Sequence, residues 1–202
     1  MKNYKKNLKL LTQNHVYSDE MEHDACGVGL IASTEGKKSR MVVDYGIEAL
    51  KAVWHRGAVD ADGKTGDGAG IHLEIPKDFF IEKIQVTGHD YDNSEICVGM
   101  IFLPRNDYSS QESSKTIVES ELTKSNFSIY GWRQVPVNPK VLGEKAFQTM
   151  PEIIQVLFKS NDVNLLDKDL ERKIYETRKK IETKADNLSL NNFYVCSMSS
   201  KS

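Results

Sequence analysis

Apolar positions along the chain follow two periods. Between residues 41 and 54, apolar side chains fall at Val43, Ile47, Leu50 and Trp54. That three-to-four spacing marks one face of a helix. The same spacing puts Ile117, Val118 and Leu122 inward on a helix over 107–125. It also puts Leu166, Leu170, Ile174 and Ile181 inward on a charged helix over 165–184. Pro76-Lys77-Asp78 predicts the opening of a short helix carrying Phe79 and Phe80, since proline suits the first helical turn. Compact apolar runs predict strands at 27–33, 71–75, 96–103, 127–137, 153–158 and 193–198. The first reads as buried, and the fourth is broken near Pro136 and Pro139. Residues 87–94 are polar and read as a loop, and Gly36-Lys37-Lys38 as a turn. Helices and strands mix without a strict βαβ rhythm, so the pattern predicts an α+β fold. There is no internal repeat and no linker-like stretch. The last strand runs straight into Ser199-Ser200-Lys201-Ser202, the expectation for a chain cut inside a domain.

Composition narrows the classes. The 202 residues suffice for one sizeable domain, with 39% hydrophobic and 28% charged positions. Net charge is −2, and basic residues form no long run, the nearest cases being Lys5-Lys6 and Arg178-Lys179-Lys180. That balance calls for neither nucleic acid nor an anionic membrane as partner. The three cysteines, Cys26, Cys97 and Cys196, are widely spaced. They form no disulfide framework, no C-x-x-C pair and no zinc spacing, so no metal is expected and the compartment reads as reducing, hence cytoplasmic. Cys97 and Cys196 sit on apolar strands and are expected in the core.

Residues 1–25 start basic, but Leu8, Leu10 and Leu11 give way to Gln13, Asn14 and His15. Asp19, Glu20, Glu22 and Asp24 then precede Cys26. A secretory or lipoprotein signal needs a continuous apolar stretch there. No run approaches the roughly 20 apolar residues of a membrane span.

Cys26 stands where this leader meets the apolar run Gly27-Val28-Gly29-Leu30-Ile31-Ala32. Cleavage between Ala25 and Cys26 would place a thiol beside a free α-amine. Such an amine has a pKa of roughly 7.7–8.0 and can serve as a base near neutrality. One residue would then hold nucleophile and base. The alternative is a buried cysteine at the start of a strand.

The second feature is Asp60-Ala61-Asp62-Gly63-Lys64-Thr65-Gly66-Asp67-Gly68-Ala69-Gly70. A phosphate loop fails, because Ala58 stands where its first glycine belongs and a helix precedes it. A calcium loop counted from Asp60 fails too, since its twelfth position is Ile71. What remains is a tight surface turn or a loop that shapes a site. Taken alone, Arg56 reads as a helix C-terminal charge and His55 as a packed residue. The other histidines, His15, His23, His72 and His89, read likewise, and Trp54 and Trp132 as core or interface anchors.

Taken in order, these motifs resemble the glutamate synthase family at the start of its large subunit. The resemblance is carried by Cys26-Gly27-Val28-Gly29-Leu30-Ile31-Ala32, Trp54-His55-Arg56-Gly57-Ala58, Thr65-Gly66-Asp67-Gly68-Ala69-Gly70-Ile71 and Ile75-Pro76-Lys77-Asp78-Phe79-Phe80. Phe193-Tyr194-Val195-Cys196-Ser197-Met198-Ser199-Ser200 is similar to a later strand of the same domain.

The resemblance implies a class II, N-terminal-nucleophile glutamine amidotransferase domain. Its fold would be a four-layer αββα sandwich, here truncated at its C-terminal end. Residues 1–25 would be a propeptide and 26–202 the N-terminal part of the domain. Cys26 would be the catalytic nucleophile that forms a γ-glutamyl thioester with L-glutamine and releases ammonia. Arg56 would line the substrate pocket. In the full-length parent, ammonia would meet 2-oxoglutarate, with FMN and a 3Fe-4S cluster carrying electrons from a small subunit or ferredoxin. No cofactor is expected within these residues. The family's Ser-Arg-Phe-Ser-Thr and His-Asn-Gly-Glu motifs hold the substrate-carboxylate arginine and the oxyanion hole, and neither occurs in residues 1–202. Loss of one oxyanion donor typically costs about 10²–10³ in rate, so the fragment alone is expected to be inactive. Two alternatives stand beside this: another class II amidotransferase with a different ammonia acceptor, and a non-catalytic relic of the fold.

Overall fold

A computed structural model describes residues 27–53, 57–162 and 165–202. The chain divides into two compact units, residues 1–58 and 59–202.

In the first unit, helix α1 spans Arg40–Ala52, where the apolar spacing predicts it. Ser39 caps it, its hydroxyl accepting the Met41 N–H at 3.1 Å. Arg40 and Asp44 pair across one turn at 2.9 Å. Val43, Ile47 and Leu50 are only half-buried. The buried strand expected at 27–33 does not form. Those residues have no regular structure, and Val28 and Leu30 are 92% and 89% exposed. A strand needs a hydrogen-bonded neighbour, and this segment pairs with none of the described strands. Gly27 and Gly29 add no side chains to pack.

The second unit is built on an antiparallel sheet of β1 (Cys97–Leu103), β2 (Phe127–Gln134), β3 (Glu152–Ser160) and β4 (Tyr194–Ser199). Its spatial order is β2-β3-β1-β4. Four helices accompany it: α2 (Lys77–Val86), α3 (Tyr108–Lys124), α4 (Glu144–Thr149) and α5 (Asp167–Asn187). A mixed helix-and-sheet architecture therefore matches the α+β expectation.

One face of the sheet is closed by α3 and α5. Ile117, Val118 and Leu122 join Leu170, Ile174 and Ile181 over Ile101, Val156, Phe158 and Val195. These are the inward residues that the helical spacing marks, save Leu166, which precedes α5 as its N-cap and is 73% exposed. The other face carries α2, whose Phe80 and Ile84 cover Val98, Tyr130 and Leu157. That cover is partial. Phe102 pairs in register with Ile153 and Tyr194, and Tyr194 is 56% exposed.

Local chemistry sets the boundaries. Asp107 caps α3 by accepting the Ser110 N–H at 3.0 Å, and Asn126, at φ 60°, turns the chain into β2. The strand β2 ends at Gln134, short of the predicted 137: Val135 still donates its N–H to the Ile153 carbonyl at 3.0 Å, but the next position in that register would set Val137 opposite Pro151, which has no N–H to give. The strand expected at 71–75 is also absent. Only its end is tied in, where Ile75 is buried and donates its N–H to the Lys201 carbonyl at 2.9 Å. Residues 71–74 are exposed and belong to none of the described strands.

The expectation for Cys196 is overturned. Ile101 pairs with Val195 and Met100 with Ser197, so Cys196 is an unmatched bulge residue in edge strand β4. The bulge turns both Val195 and Met198 into the core and leaves Cys196 exposed. Cys97 is buried as expected. Among the described residues, no helix is long and apolar enough to cross a membrane.

Candidate functional site

Cys26 and Arg56, the residues expected to carry chemistry, lie outside the described residues, as do Trp54 and His55. Of the sequence constellation, the glycine-rich loop is described, and it is a folded object. Val59 and Gly66 form an isolated antiparallel bridge. Inside it, Asp60 donates its N–H to the Thr65 carbonyl at 2.7 Å, and Gly63 donates to the Asp60 carbonyl at 2.9 Å.

Asp62 organises the turn. Its Oδ1 accepts the N–H groups of Lys64 at 2.9 Å and Thr65 at 2.6 Å, and its Oδ2 accepts the Thr65 hydroxyl at 2.5 Å. These donors, the Thr65 hydroxyl first, lower the carboxyl pKa from 3.8 to about 2. The carboxylate is thus held by three donors of its own loop. Beyond Gly66 the chain runs exposed, with open space around Gly68 and Gly70.

A second segment docks on this turn, and sequence reasoning missed it. Asp62 Oδ2 also accepts the Glu144 N–H at 3.1 Å, and Lys145 pairs with Asp60 at 2.6 Å. Gly143 makes the approach possible. A Cβ there would overlap the Thr65 hydroxyl and the Asp62 carboxylate and stand 2.5 Å from the Thr65 nitrogen. The available signal was a lone glycine before a six-residue helix whose only large apolar residue is Phe147.

The end of β4 is held by a carboxylate as well. Glu171 Oε1 accepts the N–H and hydroxyl of Ser200, both at 2.7 Å, and Oε2 accepts the Ser199 hydroxyl at 3.0 Å. Lys201 pairs with Asp167 at 2.9 Å. His72 and His89 are exposed rather than packed, and the His89 ring lies edge-on to Tyr130 at 6.2 Å between centroids. Trp132 packs against the core while its indole N–H reaches Glu119 at 2.7 Å, the anchor that sequence suggests.

Among the described residues, no group of three or more His, Cys, Asp or Glu side chains could hold a metal ion. Cys97 is sealed in the core and Cys196 is on the surface.

Residues 26–202 match the family described as glutamine amidotransferases class-II. The chain is 49% identical over 199 residues to the glutamate synthase [NADPH] large chain of Azospirillum brasilense, covering 98% of this chain and 13% of that relative. It is 38% identical to the ferredoxin-dependent glutamate synthase of Pyropia yezoensis, covering 95% and 12%. To the chloroplastic ferredoxin-dependent glutamate synthase of Spinacia oleracea it is 37% identical, covering 89% and 11%. The chain therefore spans about an eighth of the length of these relatives.

Proposed function

Because the chain belongs to the class-II glutamine amidotransferases, we propose that it is the glutaminase part of a glutamate synthase. The observation that carries this reading is where the family match starts. It begins at Cys26 and leaves residues 1–25 outside, which supports a leader removed to expose that cysteine and a domain starting at 26.

The chemistry follows from one residue. The free α-amine of Cys26 takes the thiol proton, and the thiolate attacks the side-chain carboxamide of L-glutamine. The tetrahedral adduct collapses, the protonated amine returns a proton to the leaving nitrogen, and ammonia departs. Water, deprotonated by the same amine, then cleaves the γ-glutamyl thioester and frees glutamate. Arg56 lines the pocket, where its permanent charge favours the thiolate or holds a substrate carboxylate. Residues 1–202 by themselves contain neither the oxyanion-hole motif nor the substrate-carboxylate motif of the family. Alone they are expected to lack glutaminase activity.

In the longer protein, ammonia meets 2-oxoglutarate in a reductive amination. FMN and a 3Fe-4S cluster belong to that part, with a small subunit or ferredoxin as electron donor and the cytoplasm as the compartment. The printed names of the relatives, glutamate synthases of the NADPH and ferredoxin types, support this reading. The half-open face around Phe102 and Tyr194 supports a second sheet layered there, as a four-layer αββα sandwich requires.

The test is the intact mass of the full-length polypeptide that contains these residues, before and after exposure to a glutamine-like diazoketone. Loss of residues 1–25 and one adduct on Cys26 are expected. A folded chain that is neither trimmed nor labelled would overturn the reading.

A further inference from the structure

A cavity of about 610 Å³ opens where the first turns of α3 pass over the sheet end formed by β1, β2 and β3. This is the size of small-molecule sites. Leu103, Trp132 and Ile154 give it an apolar wall, and Arg105, Gln111 and Lys115 a polar one. Its parts are held in place. The Gln111 amide donates to the carbonyls of Pro104 at 2.7 Å and Arg105 at 3.2 Å, which pins the Arg105 loop to α3. The Trp132 indole is fixed by Glu119.

Arg105 is the informative residue. Its guanidinium lies 4.6 Å from the centroid of the Phe147 ring, and it has no carboxylate partner among the described residues. Stacking uses the flat face of the group and leaves its edge N–H donors free. That planar fork matches a carboxylate or a phosphate. Lys115 adds a second positive charge, shared with Glu112 at 3.0 Å. Glu152, the acidic residue on the wall, already accepts from Gln134. Arg133 lines the rim, but its guanidinium turns to Gln155 and to the Phe79 ring.

We propose that this cavity binds a small organic anion bearing a carboxylate or phosphate group. Arg105 and Lys115 are its charge partners, and Trp132 lies beside its carbon skeleton. The proposal uses none of the residues assigned to glutaminase chemistry, so its failure and theirs are distinguishable.

The experiment follows the Trp132 indole N–H signal by ¹⁵N-edited NMR in the full-length polypeptide that contains these residues, the signal being assigned by its loss in Trp132→Phe. Inorganic phosphate and succinate are titrated in turn at constant ionic strength. A saturable shift of the Trp132 signal is expected, with apparent affinity about tenfold weaker in Arg105→Gln. Lys115→Gln, which leaves the Phe147 stack untouched, is expected to weaken it as well and carries the test if Arg105→Gln fails to fold. Response to succinate alone assigns a carboxylate ligand, to phosphate alone a phosphate ester, and to both their shared oxyanion chemistry. No saturable shift with either anion, or an affinity unchanged in both variants, overturns the proposal.

Discussion

Asp62 and Glu144 stand 82 positions apart in the chain, yet the Asp62 carboxylate accepts the Glu144 N–H at 3.1 Å. One side chain thus closes its own turn and anchors a distant helix start. Its stabilising effect has a defined pH window. A carboxyl held below its ordinary 3.8 favours the folded state at every pH above that value. The contribution fades as pH falls from 3.8 through about 2. Asp62→Asn keeps the shape but loses the charge and turns an N–H₂ toward donors. The gap in denaturant midpoint between wild type and Asp62→Asn is expected to be constant above about pH 5 and to narrow on acidification. A ¹³C titration of the Asp62 carboxyl with a midpoint near 3.8, rather than about 2, would contradict the turn geometry.

Gly143 is a steric requirement of the same contact, not a conformational one. Its φ of −72° suits any residue. What excludes a side chain is the Asp62–Thr65 turn pressed against it. Gly143→Ala is expected to destabilise by about 1–3 kcal/mol, the range for overpacking a filled site. Gly68→Ala, in open space, is expected to shift stability by less than about 0.5 kcal/mol. Equal thermal melts for the two variants would remove the argument for docking between the loop and α4.

These contacts also mark the limit of what the chain discloses by pattern. The long helices were legible because Ile117, Leu122, Leu170, Ile174 and Ile181 repeat at helical spacing and do face the sheet. The central strands were legible because Cys97–Leu103 and Glu152–Ser160 are nearly continuous apolar runs. The strands expected at 27–33 and 71–75 were not, because an apolar run states a wish for burial and not the presence of a partner. The bulge at Cys196 was hidden for a related reason, since an inserted residue is defined by the neighbouring strand. The Asp62–Gly143 contact left no trace beyond a lone glycine, because it joins two polar loops. The candidate site was read through resemblance. Its two assigned residues, Cys26 and Arg56, fall outside the described residues, and no hydrophobic pattern identifies them.

The sheet-facing side of α5 should dominate the stability of its unit. Ile181 is fully buried against the sheet cluster, whereas Tyr175 is exposed and touches chiefly Lys179. Ile181→Ala is expected to cost about 2–5 kcal/mol, through lost transfer energy and the cavity left behind. Tyr175→Ala is expected to stay within about 0.5 kcal/mol of wild type. Urea unfolding of both variants measures the contrast, and comparable losses would mean that α5 is not packed as described.

Cysteine chemistry tests the bulge in β4. Cys97 lies one strand away from Cys196, but the core closes over it, and burial pushes its thiol pKa well above the ordinary value, with Glu171 and Glu95 adding to the shift. Only the thiolate alkylates readily, so Cys97 is protected twice, by access and by protonation. Cys196 is exposed because the register skips it. At about pH 8, near the ordinary thiol pKa, iodoacetamide is expected to label Cys196 in the native protein and Cys97 only after denaturation, as read by peptide mass mapping. If Cys196 resisted labelling while the protein stayed folded, β4 would alternate without a bulge. The side chains of Val195 and Met198 could not then both enter the core, and the edge of the sheet would have to be redrawn.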